Sequence, residues 1–188
     1  MKRILISIVL GTLVLFVWNA IAWMALPFHS NSLITLPEEA INSNKMSSLM
    51  SGSGIYHYPG FPEDITAESM KELSEKLENG PRITFMAYKE GPTALFEINT
   101  FLLNLFYNLF TVVLAYVIVS NQKSKSIRNI FTTCITLGLI LCFASDLPQM
   151  NWFMYPMNYT LPNVLDHLVA FSLLGLIFGM YTFKNKAV

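Results

Sequence analysis

The chain has 188 residues, 53% apolar and only 13% charged, with twelve Lys and Arg against twelve Asp and Glu. Soluble domains carry about a quarter charged residues, so this composition, with a mean hydropathy of +0.47, excludes an ordinary soluble globular domain. No basic stripe is present, which excludes a nucleic-acid partner.

The zero net charge hides a segregation that follows four apolar runs, predicted as transmembrane helices over residues 4–26, 98–120, 130–146 and 164–183. A helix needs roughly 20 mostly apolar residues to cross about 30 Å of hydrocarbon. The third run is the shortest and ends at Asp146. Lys2 and Arg3, then Lys123, Lys125 and Arg128 of the 121–129 loop, then Lys184 and Lys186 all fall on one side of this map. Lys and Arg flanking spans mark the cytoplasmic face, so both termini are expected inside a bacterial inner membrane. All twelve acidic residues lie at or beyond the other face. The expected fold is a four-helix transmembrane bundle with a small extracytoplasmic α/β subdomain between helices 1 and 2.

The first span begins Met1-Lys2-Arg3 and contains Ala20-Ile21-Ala22, which resembles a cleavable signal peptide. The apolar run continues through Trp23 to Leu26 and so suits a retained anchor better. Residues 27–97 are too long for a plain loop. Thr35-Leu36-Pro37-Glu38 reads as a capping box opening a short helix that stops near Gly52 or Gly54. Ile55 to Tyr58 reads as a strand stopped by Pro59-Gly60. Thr66 to Glu78 reads as an amphipathic helix, with Met70, Leu73 and Leu77 on one stripe and a Glu72–Lys76 pair. Arg82 to Tyr88 is the second expected strand, and Thr93 to Phe96 a third. A core this small is marginal alone and is expected to lean on the outer ends of the spans.

Polar groups inside spans mark packing or function. Glu97, Thr100, Asn104, Asn108 and Thr111 are spaced to share one face of the second helix, and Asn19 lies in the first between Trp18 and Trp23. Ser172, Gly175, Gly179 and Thr182 share a face of the fourth, where small residues allow close helix packing. These faces suit interhelical packing, or a hydrated cavity. Cys134 and Cys142 read as small apolar side chains of the third span. Residues 147–163 form a predicted outer loop, with Trp152, Phe153, Tyr155 and Tyr159 as an interfacial aromatic belt. Asn158-Tyr159-Thr160 fits a glycosylation sequon that a bacterial chain would leave unused.

A second polar set gathers at the outer boundary: His29, His57, Asp146, Asp166 and His167, with Glu38, Glu39 and Glu97 as neighbours. Imidazole and carboxylate are the chemistry of a transition-metal site or a proton relay. No spacing among them matches a ligand motif such as His-Glu-x-x-His. No Gly-x-Ser-x-Gly elbow or phosphate-binding glycine loop is present, so no catalytic residue is assigned.

Trp18-Asn19-Ala20-Ile21-Ala22-Trp23-Met24 followed by Leu26-Pro27-Phe28-His29, with Ser53-Gly54-Ile55-Tyr56, Gly80-Pro81 and Asn151-Trp152 before Leu165-Asp166-His167, resembles small bacterial four-helix membrane proteins. The resemblance implies the architecture and an envelope location, and it carries over no functional residue. The layout is also similar to claudin-like proteins, but their external cysteine pair is missing, so only the shape is shared. The leading expectation is a non-enzymatic envelope protein that binds lipid or a partner protein through its external domain, or serves as an accessory subunit of a membrane complex. The alternatives are metal or proton handling at the outer boundary, and a lipid-directed enzyme using the Asn104/Asn108 face with Asp166 and His167.

Overall fold

The computed structural model describes residues 2–42, 45–94 and 96–182. Lys184, Lys186 and the end of the fourth predicted span lie outside the described residues. The chain divides into two compact units, one of residues 1–34 with 94–188 and one of residues 35–93.

The first unit is a bundle. Helix α1 runs Lys2–Ala20 and continues as a π-turn, Ile21–Ala25. Leu26 is then extended (φ −90°, ψ 139°), the conformation a residue before proline favours. The single turn α2, Pro27–Ser30, follows with Pro27 in its first turn. In the second unit, α3 is Glu38–Asn42 and α4 is Lys45–Leu49. Strand β1, Gly54–Tyr58, pairs antiparallel with β2, Ile83–Tyr88, and α5, Ala67–Asn79, lies between them in sequence. Back in the bundle, α6 spans Ile98–Ser120 and α7 Ile127–Leu141. A π-turn, Cys142–Asp146, joins α7 directly to α8, Leu147–Trp152. Helix α9, Met157–Ile177, ends in a third π-turn, Phe178–Thr182. Four of these helical stretches are long and apolar enough to cross a membrane: Lys2–Ala25, Ile98–Ser120, Ile127–Trp152 and Met157–Tyr181.

Several expectations are corrected here. The third helix does not stop at Asp146, and the fourth starts at Met157 rather than Val164, so most of the predicted 147–163 loop is helical. Pro148 lies in the first turn of α8, where a missing N–H is tolerated, whereas Pro162 lies inside α9. Thr35 is no N-cap, because the helix begins at Glu38. The capping box sits instead at Thr66 and Ser69, whose side chains each bond the other's backbone N–H. The ion pair on α5 is Lys71–Glu75 at 3.8 Å rather than Glu72–Lys76. Only Leu73 of the expected stripe is buried, with Met70 and Leu77 exposed. Thr93, Ala94 and Phe96 form no strand, and Leu95 lies outside the described residues. The sheet therefore has two strands.

The bundle core joins Leu15 of α1, Val112, Ala115 and Val119 of α6, Ile130 and Cys134 of α7, and Ala170, Phe171 and Leu174 of α9. The opposite faces stay apolar. On α1, Leu5, Val9, Leu13 and Val17 form a fully outward stripe, each at least 48% exposed, which water would not tolerate and lipid would. Glycines set the helix spacing. A Cβ on Gly175 would lie 3.1 Å from Cys134 Cβ and from the Phe131 backbone, and one on Gly138 would lie 3.1 Å from the His167 carbonyl. The small-residue face predicted on the fourth helix thus meets α7 through Gly175, and Gly179 meets Ile127 at the same helix.

Gly175→Leu should separate α7 from α9 and cost about 1–3 kcal/mol, the usual range for overpacking. Thermal unfolding in detergent checks this, with Gly60→Leu as a control, since a Cβ at Gly60 meets nothing within 4 Å.

Candidate functional site

The functional cluster lies in the bundle, where the N-terminal half of α9 meets the C-terminal ends of α1 and α7. Asp166 is its centre and is buried. Its Oδ1 accepts a hydrogen bond from Trp18 Nε1 of α1. Its Oδ2 lies 3.6 Å from His29 Nε2 of α2. His29 is 1% exposed, and neither ring nitrogen makes a hydrogen bond among the described residues. The ring stacks on Trp23 with centroids 4.0 Å apart and planes 10° from parallel, and Phe28 leans on it at 4.7 Å. The break at Leu26-Pro27 makes this possible by turning α2 back, so that His29 reaches Trp23 and Asp166. Ser32 Oγ secures the turn by donating to the His29 carbonyl at 2.6 Å.

The next residue, His167, points toward α7, as neighbours about 100° apart on a helix must diverge. Its Nε2 lies 3.3 Å from Asp146 Oδ2. Asp146 closes the π-turn Cys142–Asp146. Such a turn inserts one residue into the helical repeat and re-aims side chains, and it recurs at functional sites. The same π-turn places Cys142 Sγ 3.7 Å from the Val164 carbonyl. Both cysteines are buried and unpaired.

Amides complete the cluster. Asn19 Nδ2 donates to Asn108 Oδ1 at 3.2 Å, and Asn108 Nδ2 donates to Asn104 Oδ1 at 3.3 Å. This ladder forms one side of a half-open cleft of about 470 Å³ between the helices. Thr111, Asp166 and His167 add further polar groups, and Phe16, Trp23, Phe101 and Phe171 add aromatic walls. Among the described residues no Lys or Arg lines it. A smaller polar pocket of about 130 Å³ holds Asp146, Gln149, Tyr155, Tyr159, Thr160 and Asn163.

The structure brings together four of the five residues expected at the outer boundary, as two pairs: His29 with Asp166, and His167 with Asp146. Among the described residues no three His, Cys, Asp or Glu side chains gather as a metal-binding group. His57 belongs to the other unit. It sits at a register shift in β1, with Nδ1 3.2 Å from the Pro59 carbonyl and its ring 5.5 Å from Phe61. Glu38 and Glu39 are exposed in the first turn of α3. Of the predicted face of the second span, Asn104, Asn108 and Thr111 line the cleft with Asn19, whereas Glu97 and Thr100 are exposed. Trp18 was read only as a flank of Asn19. The usable signal was its indole N–H, which a buried Trp must pair with an acceptor. The Tyr155/Tyr159/Thr160/Asn163 pocket had no sequence signal beyond aromatic composition.

No family model, curated protein or solved structure matches this chain.

Burial pushes the His29 imidazole below its ordinary value of 6.5, and the Asp166 carboxylate pulls it partly back. The folded protein therefore holds His29 neutral more strongly than the unfolded chain does. Its contribution to stability is full above pH 6.5 and is lost as pH falls through that value toward the lowered folded pKa. NMR titration of labelled histidine should place the His29 midpoint below 6.5. Asp166→Asn should lower it further, because the raising charge is gone. Asp166→Ala should also strip the Trp18 N–H of its acceptor and cost about 1–3 kcal/mol in thermal stability.

Proposed function

We propose that this chain is a multi-pass protein of a bacterial inner membrane, with both termini cytoplasmic and residues 35–93 outside. It acts as a binding protein rather than an enzyme, and its bundle cleft takes up a small organic molecule. The observation that carries this reading is the cleft of about 470 Å³ with an amide ladder on one side and aromatic rings on the others. An intramembrane polar site is expensive to maintain and points to function. Pockets that are mostly apolar with a few placed polar groups are the usual form of small-molecule sites. The Asp166 carboxylate and the lack of Lys or Arg among the lining residues favour a cationic or uncharged polar group and oppose an anion. Support for a binding role thus comes from the bundle, whereas the sequence had pointed to the external segment.

Phenethylamine and phenylacetate form a matched pair of probes, alike in their apolar body and opposite in charge. Titration in detergent micelles, followed by tryptophan fluorescence, should show saturable binding of the amine and none of the acid. Asn108→Leu removes two amide partners and should weaken the amine about tenfold, equivalent to 1.4 kcal/mol. Equal response to both probes, or an unchanged affinity in Asn108→Leu, would sink the reading.

A second reading is proton handling, favoured by the two His–Asp pairs that abut through Asp166 and His167. Histidine and carboxylate chains of this kind serve as proton relays in membranes. Protein in liposomes loaded with a pH-sensitive dye should then pass protons faster than empty liposomes, and His167→Phe should abolish the excess. Identical decay with and without protein removes this reading.

A further inference from the structure

On the far side of Asp166 from the cleft lies a second cavity of about 530 Å³, an open groove between α9 and the Trp18–Phe28 side of the bundle. Its floor and one wall are Leu161, Pro162, Leu165 and Val169 of α9, and its other wall is Trp18 and Phe28. Leu161 and Leu165 are about half exposed along the groove, at 49% and 51%. Its lip carries Asn31 and Asn158, two exposed amides whose side chains have no hydrogen-bond partner among the described residues.

We infer that this groove holds one acyl chain of an outer-leaflet phospholipid whose head group carries hydrogen-bond donors, such as phosphatidylethanolamine. The inference rests on the reading that the four helices cross a bilayer. Three observations favour this occupant. The first is depth. Asn158 is the second residue of the fourth candidate span, and Val169 lies eleven residues farther in. At 1.5 Å per residue the groove runs roughly 16 Å, about one leaflet of a 30 Å core. The second is polarity along that length. The polar lining residues are Asn31, Ser32 and Asn158, with Asp166, whose carboxylate is already held by Trp18, and the rest of the lining is apolar, which suits an amphiphile. The third is the demand for donors at the lip. Pro162 has no N–H, so the Asn158 carbonyl four residues earlier lacks its helix donor. That carbonyl lies at the exposed lip and does not receive the usual bond from four residues on, so it can accept from a donor on a bound head group. An ammonium or hydroxyl head group supplies the donor. Among the described residues no Lys or Arg lines the groove and Asp166 is its one formal charge, so nothing there neutralises an additional head-group anion.

The test compares dioleoyl-phosphatidylethanolamine with dioleoyl-phosphatidylcholine, which has the same chains and no head-group donor. The full chain is reconstituted with equal amounts of both, extracted gently and weighed by native mass spectrometry. One ethanolamine lipid should be retained in clear preference to the choline lipid. Leu165→Trp should remove the retained lipid by filling the groove. Val169→Trp provides a second filling variant, and both sites are partly exposed, so the bundle core is untouched. Equal retention of the two lipids, or retention unchanged in both filling variants, overturns the inference. A chain that alkaline carbonate strips from membranes overturns the membrane reading and this inference together. Stable integration with no lipid preference overturns this inference alone.

Discussion

A carboxylate inside an apolar bundle is tolerable only when its charge is answered by donors, and Asp166 is answered by Trp18 with His29 alongside. That arrangement ties three segments together: α1 through Trp18, the reversed turn α2 through His29, and α9 through Asp166. Desolvation makes a lone buried carboxylate costly, and the low-dielectric surroundings make each paired contact stronger. The Leu26-Pro27 break, the Trp23–His29 stack and the Ser32 bond to the His29 carbonyl all serve to bring an imidazole beside that carboxylate. The same residue is the wall between the polar cleft and the apolar groove, so the two cavities differ in character because Asp166 presents different neighbours to each.

Helix irregularities and glycines cooperate in placing the remaining groups. The π-turn at Cys142–Asp146 rotates Asp146 toward His167 while letting the helix continue to Trp152. Gly138 and Gly175 let α7 and α9 approach until backbone meets backbone, and that spacing sets the His167–Asp146 distance. The amide ladder from Asn19 through Asn108 to Asn104 then crosses from α1 to α6. Each amide answers another, as groups must where water is scarce.

Much of the bundle was legible in the chain, for identifiable reasons. Apolar runs of sufficient length announce helices whatever they pack against, and the step of three or four between Asn104, Asn108 and Thr111 announces a shared face. Gly175 and Gly179 announce close packing because only small residues permit it. The errors have an equally physical source. The 147–163 loop was drawn where the apolar runs stop, but polar and aromatic residues continue both helices through most of it. Thr35 looked like an N-cap by spacing, whereas Thr66 won the role through a reciprocal bond with Ser69. The five boundary residues looked like one group, since sequence shows their proximity to helix ends and not their direction. The structure pairs four of them and leaves His57 in a strand of the other unit.

The sequence by itself determined four helices able to cross a membrane, a patterned segment between the first two, and polar residues confined to particular helix faces. These follow from hydropathy and helical periodicity, which are local properties of a chain. Tertiary structure alone decided that Asp166 faces Trp18 and His29 while His167 faces Asp146, and that the amides of α1 and α6 join. Those contacts depend on how helices rotate about their own axes and where the π-turns shift register. Such rotations are set by packing among distant segments, so no run of residues read alone can contain them.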